Sequence, residues 1–253
     1  MTDVKVCSQY ITSLGDTLIS QLPMSQDNAI ASTFHSIAGR VADAAAQAGH
    51  AATLLAVSKG KTASAIRVLA ELGQAAFGEN YVQEALAKQR ELADLDIVWH
   101  MIGPLQSNKC RDVSENFDWL QTLDRERLIE PLARFRPSSH SPLNVLIQVN
   151  IDDEASKSGC GVIEVARLAE QVAAFPMLRL RGLMAIPAPD PRTRVAAFRS
   201  MRALFDELRS DIAGIDTLSM GMSDDFECAI AEGATNVRVG TALFGAREPH
   251  LHQ

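Results

Sequence analysis

The sequence is poor in cysteine and in aromatic residues, and it contains no long uninterrupted apolar run. Its four cysteines, Cys7, Cys110, Cys160 and Cys228, lie far apart and form no CxxC pair, so we interpret them as free thiols in a reducing compartment. Nowhere do 18 apolar residues run together, and the N-terminal region has no compact apolar core behind a basic start. Without a membrane span or signal peptide in evidence, we expect a cytoplasmic protein.

A basic surface and the common nucleotide motifs are also missing. The formal net charge is −7, and the absence of any Lys/Arg run argues against a general nucleic-acid binder. Neither GxGxxG nor GxxxxGK[ST] occurs, which argues against a Rossmann cofactor site and a P-loop. The six histidines are scattered, and they predict no metal site.

Eight strand-like segments are present, and they alternate with segments of helical periodicity, without a linker or low-complexity insert. The predicted strands span 52–59, 75–80, 97–103, 119–123, 143–150, 178–186, 217–222 and 236–245. The predicted helices between them span 62–72, 81–93, 107–116, 124–135, 161–174, 191–213 and 224–232. Strand followed by helix predicts a parallel sheet. Eight such units in 253 residues favour a single closed (β/α)8 barrel of the TIM type over an open sheet.

The outer ring of this barrel needs one further helix. Residues 246–253, after the last strand, are too few to supply it. A helix predicted over 29–48, ended by Gly49, precedes the first strand and could fill the vacant place. We therefore divide the chain into an N-terminal extension (1–25), a barrel (26–248) and a C-terminal tail (249–253).

Lys59, in the segment LLAVSKGK, closes the first predicted strand. Active sites of barrels of this kind lie at the C-terminal ends of the strands. Partial burial there would disfavour the charged ammonium, and repulsion from Lys61 would act in the same direction. Such an amine can form a Schiff base with a carbonyl ligand. The alternative is that Lys59 ends the strand and points into water.

Two glycine- and hydroxyl-rich segments lie at the last two strands, one at the strand-to-helix junction after the seventh and one after the start of the eighth. They are SMGMSDD, with Ser219, Gly221 and Ser223, and RVGTALFG, with Arg238, Gly240 and Thr241. Barrel enzymes often bind phosphate in these two loops, where small residues allow close backbone approach. In a closed barrel the first strand lies beside the eighth. A ligand with an aldehyde at one end and a phosphate at the other would fit, and pyridoxal 5′-phosphate (PLP) is such a ligand.

Seven ordered motifs resemble those of one known family. They are LLAVSKGK, FGENYVQEALAK, WHMIGPLQSNK, NVLIQVNIDDEASKSG, LRGLMAIP, LSMGMSDDFECAI and VRVGTALFGAR. Together they resemble the pyridoxal phosphate homeostasis proteins, which are single-domain relatives of the barrel domain of alanine racemase. The resemblance extends from about residue 29 to about residue 247 and implies an alanine racemase N-terminal domain-like barrel.

The resemblance also implies site residues and a function. Lys59 would hold PLP as an internal aldimine, Asn80 would line the pocket, and Arg238 would face the pyridine nitrogen. The phosphate-binding positions match Ser219, Ser223, Gly240 and Thr241. The family binds PLP and helps to keep its cellular supply in balance, so we expect a carrier or regulator without robust turnover. Nothing in the sequence suggests a dedicated interface, so we expect a monomer. Transient partners would be apo-enzymes that accept the cofactor.

One departure from the family pattern concerns the loop after Lys59. The usual Thr-Lys-Pro is replaced by Gly60-Lys61-Thr62. This change removes a proline that would stiffen the loop, and it leaves the stiffness of the loop open.

Two enzymatic alternatives use the same barrel. A PLP-dependent amino-acid racemase would need a second base, such as a tyrosine, opposite Lys59. The only tyrosines in the chain are Tyr10, in the extension, and Tyr81. We favour a structural role for Tyr81. The cation of Arg238 would also make the ring a poorer electron sink than a carboxylate partner would. A Schiff-base aldolase without cofactor is the weakest alternative, since strand six offers Arg179 and Arg181 but no lysine.

Four further polar residues have simpler interpretations. We expect His100 to be a hydrogen-bonded core histidine and Lys157 to be a solvated loop lysine, although it lies near the rim and could receive the anionic cofactor transiently. Asp224 and Asp225 would favour the start of the helix that follows them.

Overall fold

The computed structural model describes residues 26–154 and 157–245. Its centre is a closed parallel barrel in which each strand pairs with the next along the chain and the eighth pairs with the first. The strands are β1 (Thr53–Val57), β2 (Ala76–Glu79), β3 (Val98–Met101), β4 (Trp119–Leu123), β5 (Leu143–Val149), β6 (Leu178–Ala185), β7 (Thr217–Ser219) and β8 (Asn236–Val239). The predicted (β/α)8 barrel is confirmed.

Helices surround the barrel in the predicted alternation. They are α1 (Gln26–Ala48), α2 (Ala63–Glu71), α3 (Val82–Glu91), α4 (Cys110–Asn116), α5 (Ile129–Phe135), α6 (Val165–Ala173), α7 (Pro191–Asp211), α8 (Phe226–Ala231) and α9 (Thr241–Phe244). Short 3₁₀ segments lead into three of them, at Ser107–Lys109, Glu126–Leu128 and Val162–Glu164.

Helix α1 fills the place of the missing eighth helix. Its buried residues recur every three or four positions, as in one face of a helix: Ile30, Phe34, Ile37, Val41 and Ala45. This face packs against α2, α8, α9 and β1, so α1 closes the outer ring between the last and first units. The predicted extension (1–25), including Cys7 and Tyr10, and the tail (249–253) lie outside the described residues.

The predicted strands agree with the observed ones to within two residues at each end, except at the C-terminal ends of the last two. β7 ends at Ser219 rather than residue 222, because Gly221 adopts a positive φ of 91° and turns the chain. β8 ends at Val239 rather than residue 245, since the residues after Gly240 form α9. Both differences place the glycine-rich segments in loops.

The interior of the barrel is not uniformly apolar. One connected group of buried polar side chains comes from β3, β4, β7 and β8: His100, Gln121, Ser219, Asn236 and Arg238. Buried polar groups need hydrogen-bond partners, and these residues bond mainly to one another, as described below. Within the described residues, no helix is long and apolar enough to cross a membrane.

Candidate functional site

A cavity of about 620 Å³ opens at the C-terminal ends of the strands. Its lining comes from the loops after β1, β2, β3, β6, β7 and β8, together with residues of β1 and β8. The lining residues are Val57, Lys59, Lys61, Asn80, Ile102, Ile186, Met222, Ser223, Asp224, Arg238, Gly240, Thr241 and Gly245. Six of the seven predicted cofactor-binding residues are therefore brought together, and the seventh, Ser219, is not among them.

Lys59 lies in a tight turn directly above β1. The amide of Lys61 donates a hydrogen bond of 3.0 Å to the carbonyl oxygen of Ser58, which makes Lys59 and Gly60 the two central residues. Gly60 has φ 70°, as the second central residue of a type II turn requires. Lys59 thus lines the cavity from a defined turn, not from a strand end that points into water.

Asn80 reaches the cavity from the residue after β2, and its backbone is in close contact with the loop after β3. A β-carbon at Gly103 would overlap the carbonyl oxygen, Cα and carbonyl carbon of Asn80. Glycine at position 103 is therefore required for this close approach. Gly103 falls within the motif WHMIGPLQSNK, but the sequence analysis gave it no role.

Arg238 projects from β8 into the cavity wall and is almost fully buried. Its Nη1 donates to the hydroxyl of Ser219 (2.7 Å), and its Nη2 donates to the carbonyl oxygen of Ala185 (2.8 Å). Burial lowers the pKa of the guanidinium to about 10, so the group is still a cation at neutral pH. Two strands thus fix the orientation of this charge.

Ser219 is the one predicted cofactor-binding residue that is not among the residues lining the cavity. Its side chain is fully buried inside the barrel, and its oxygen lies 2.8 Å from Oε1 of Gln121 and 3.1 Å from Oδ1 of Asn236 while accepting from Arg238. The Ser219 hydroxyl therefore supports the guanidinium of Arg238.

The loops after β7 and β8 do meet at one wall of the cavity. The hydroxyl of Ser223 accepts a hydrogen bond of 3.4 Å from the backbone amide of Ala242, which connects the two loops. A β-carbon at Gly240 would lie only 3.1 Å from the carbonyl oxygen of Val57. A small residue at this position lets the β8 loop approach β1 closely, and Ser223, Gly240 and Thr241 all line the cavity.

Asp224 and Asp225 have separate roles. Asp225 is the N-cap residue of α8, and its Oδ1 accepts from the amide of Met222 at 2.6 Å within the preceding loop. Its other oxygen, Oδ2, lies 3.3 Å from Arg194. Asp224 lines the cavity, which the sequence analysis did not predict.

Several cavity residues were missed by sequence reasoning. Lys61 lines the cavity and its Nζ donates to the carbonyl oxygens of Phe244 (3.2 Å) and Gly245 (3.0 Å) at the end of α9. Ile102 and Ile186 directly follow β3 and β6 and form part of its apolar wall. The rule that barrel sites lie just beyond strand ends would have identified both isoleucines.

His100 is a core histidine, as predicted. It is 5 % exposed and stacks on Trp119 with ring centroids 5.0 Å apart. Its Nδ1 lies 3.0 Å from Nε2 of Gln121, and because the amide nitrogen donates, the ring accepts at Nδ1. Burial lowers the pKa of His100 to about 3, so the ring is neutral at physiological pH.

Tyr81 and Lys157 differ from their predicted roles. The Tyr81 side chain is 63 % exposed at the start of α3, so it is a surface residue and not a packed structural tyrosine. Lys157 is paired with Asp152 (2.8 Å) and Glu154 (3.1 Å) and is not simply solvated. Burial lowers its pKa, but hydrogen bonds to the two carboxylates outweigh this effect and the pKa is raised. Neither residue lines the cavity.

Across the described residues, 26–154 and 157–245, no three histidine, cysteine, aspartate or glutamate side chains are grouped so as to hold a metal ion. The polar side chains around the cavity are two amines, a guanidinium, an amide, hydroxyls and one carboxylate, that of Asp224. Such groups suit an anionic organic ligand with a carbonyl group better than a metal.

Comparison with known proteins identifies the family. Residues 34–248 match the family described as alanine racemase, N-terminal domain. The chain is 52 % identical over 224 residues to the pyridoxal phosphate homeostasis protein of Pseudomonas aeruginosa, with 87 % of this chain and 96 % of that protein covered. It is 51 % identical over 229 residues to the protein of the same name from Escherichia coli K12, with 87 % and 98 % covered.

Among solved structures, the chain resembles PipY of Synechococcus elongatus with PLP bound, with a TM-score of 0.75, 36 % identity and coverage of 85 % of this chain and 100 % of that one. The chain therefore belongs to the alanine racemase N-terminal domain family and, within it, to the family of the pyridoxal phosphate homeostasis proteins.

Proposed function

We propose that this protein binds PLP covalently through Lys59 and acts in PLP homeostasis as a carrier or buffer. The observation that carries the proposal is that Lys59, Arg238, Ser223 and Thr241 all line the same cavity. Relatives that are about half identical are named for pyridoxal phosphate homeostasis. A structural neighbour has been solved with PLP bound.

Lys59 supplies the covalent attachment. Lys59 would hold PLP through its amine, which in the uncharged form would condense with the aldehyde of the ligand and release water. The turn from Ser58 to Lys61 places this amine above β1. Asn80, from the neighbouring β2 loop, would contact the ring or its substituents.

Arg238 faces the aromatic part of the ligand. A guanidinium is a hydrogen-bond donor without an acceptor position, so it would bond to an unprotonated pyridine nitrogen. When bound, PLP supplies an electrophilic aldehyde and a ring that can accept electrons. Because a buried cation disfavours a protonated ring, Arg238 would weaken the electron-accepting property and leave the aldehyde chemistry in place.

Ser223, Gly240 and Thr241 line the cavity wall proposed to bind the phosphate. The hydroxyl groups of Ser223 and Thr241, and the backbone amides beside them and at Gly240, are suitable donors to a phosphate. The bond from the Ala242 amide to the Ser223 hydroxyl holds the two loops together. A ligand that carries an aldehyde and a phosphate on one ring would reach from this wall to Lys59.

A carrier role is favoured over amino-acid racemisation. Within the described part of the chain, the titratable groups that line the cavity are Lys59, Lys61, Asp224 and Arg238, while Tyr81 is turned to the surface. Racemisation needs a second base across the ligand from Lys59. Transfer of PLP to apo-enzymes needs only reversible capture, which the lysine and the phosphate grip provide.

The test is capture of PLP followed by reduction with borohydride and peptide mass spectrometry. We expect the reduced adduct on Lys59 in the wild type and in the surface variant Lys109→Ala, and none in Lys59→Ala. An adduct on another lysine in the wild type would contradict the proposed attachment. Release of PLP to an apo-enzyme supports the carrier role, whereas inversion of L-alanine at ordinary enzymic rates would overturn it.

A further inference from the structure

A buried ion pair lies beneath the turn that carries Lys59. Glu79, the last residue of β2, is fully buried, and Lys88 of α3 is 6 % exposed. Nζ of Lys88 donates to Oε1 of Glu79 at 2.7 Å and to Oε1 of Glu84 at 2.6 Å. Neither Lys88 nor Glu79 lines the cavity.

The charged cluster of Glu79, Lys88 and Glu84 is bonded to both residues that flank Lys59. On one side, Ser58 donates its hydroxyl hydrogen to Oε1 of Glu79 (2.6 Å), and its carbonyl oxygen accepts from Nζ of Lys88 (2.8 Å). On the other side, the amide of Gly60 donates to Oε1 of Glu84 at 2.5 Å. Every one of these contacts fixes the backbone or side chain of a residue next to Lys59.

Stability alone does not account for this arrangement. Taking two charges out of water costs free energy that their mutual attraction often fails to recover. Oε2 of Glu79 is buried and has no hydrogen-bond partner among the described residues, which is a further cost. Burial accordingly raises the pKa of Glu79, although Lys88 and Ser58 act in the opposite direction.

The turn itself explains why an external support is useful. Gly60 adopts φ 70°, and glycine loses more conformational freedom on folding than any other residue. No proline follows to restrict the loop, since position 62 is a threonine. Thr62 caps α2 by accepting from the Ala65 amide, but this bond acts on the far end of the loop.

We propose that Lys88, with Glu79 and Glu84, positions Lys59 for covalent capture of the aldehyde. The network fixes Ser58 and Gly60, and thereby the direction in which the intervening lysine leaves the turn. The inference rests on the proposed function, because positioning matters only if Lys59 forms the bond. We therefore expect Lys88 to affect formation of the covalent bond to Lys59 without affecting the shape of the cavity.

The test compares two ligands. Pyridoxal 5′-phosphate can react with Lys59, whereas pyridoxine 5′-phosphate has an alcohol in place of the aldehyde and can only bind. For Lys88→Met we expect the rate of covalent capture to fall about tenfold or more, since small misplacements of a reacting group have effects of this order. The dissociation constant for pyridoxine 5′-phosphate should stay within about twofold of the wild type.

Arg90→Met is the matched control, because Arg90 lies on the same helix and is exposed. It should behave as the wild type with both ligands. If Lys88→Met does not fold, as judged by circular dichroism, Glu84→Ala decides the question. Glu84 is partly exposed, and its loss should slow capture about threefold or more by releasing Gly60.

Unchanged capture in the folded variant would overturn the inference. A parallel loss of capture and of pyridoxine 5′-phosphate binding would also overturn it, because the role would then be one of general cavity structure. Failure of the proposed function is distinguishable from both. In that case the wild type and Arg90→Met would themselves form no adduct on Lys59.

Discussion

Nη1 of Arg238 and the hydroxyl of Ser219 are 2.7 Å apart inside the barrel, joining β8 to β7. This bond makes Ser219 a support for the charge that faces the cavity, and it explains why a buried serine occurs in a segment that otherwise resembles a phosphate loop. The neighbouring Ser223, four residues further on, lines the cavity itself. The two serines should therefore respond differently to the same substitution.

Ser219→Ala should reduce stability, whereas Ser223→Ala should reduce ligand affinity. Loss of the Ser219 hydroxyl leaves one donor of a buried guanidinium unpaired, for which we expect a destabilisation of about 1–3 kcal/mol. Ser223→Ala removes a hydroxyl from the cavity wall and should weaken PLP binding with little change in stability. Urea unfolding and PLP titration of both variants measure the two effects. Equal stability losses would contradict this division of roles.

Arg238→Ala tests the residue proposed to face the ring. The variant removes the cation from the cavity wall, so the absorption spectrum of bound PLP should change and the cofactor should dissociate faster. The measurements are the visible spectrum and the rate of PLP loss on dilution. If both remained as in the wild type, Arg238 would not contact the ligand.

Two Gly→Ala substitutions should have opposite effects on stability. At Gly103 an added β-carbon would collide with the backbone of Asn80, and strain of this kind typically costs about 1–3 kcal/mol. At Gly39, within α1, nothing lies within 4 Å of the added atom, so the higher helix propensity of alanine should stabilise by about 0.5–1 kcal/mol.

Thermal unfolding of both variants checks this pair. Gly103→Ala should also weaken PLP binding, because Asn80 lies in the cavity wall, whereas Gly39→Ala should bind as the wild type does. A Gly103→Ala protein as stable as the wild type would show that the β3 loop can move away from Asn80 at little cost.

The sequence was sufficient to predict the barrel because the alternation of strand and helix can be recognised within each short segment of the chain. Each unit consists of an apolar strand and an amphipathic helix. α1 could be assigned to the outer ring because the number of helices after the first strand was one short of the number of strands. Lys59 and Thr241 could be placed at one rim because the ends of parallel strands meet there. These inferences need only the order of the elements, whereas Asn80 was predicted from the family resemblance.

The partners of individual side chains could not be predicted in the same way. Ser219 and Ser223 occur in one short segment, and only the turn at Gly221 decides that the first is buried and the second lines the cavity. The pairing of Glu79 with Lys88 and Ser58 depends on how closely α3 packs under the β1 loop. Contacts between units depend on packing in three dimensions, and the hydrophobic periodicity of the sequence gives no information about that packing.

His100 should make stability depend on pH in the acid range. Its folded-state pKa of about 3 lies below the usual value of 6.5, so the unfolded chain binds a proton first as the pH falls. The stability contributed by the neutral ring is therefore complete above about pH 6.5 and is lost progressively as the pH falls toward 3. His100→Gln lacks this titration. Between about pH 8 and pH 4, the wild type should lose about 3 kcal/mol relative to the variant, measured by urea unfolding. A difference between the two proteins that does not change with pH would mean that water reaches the ring and that His100 titrates normally.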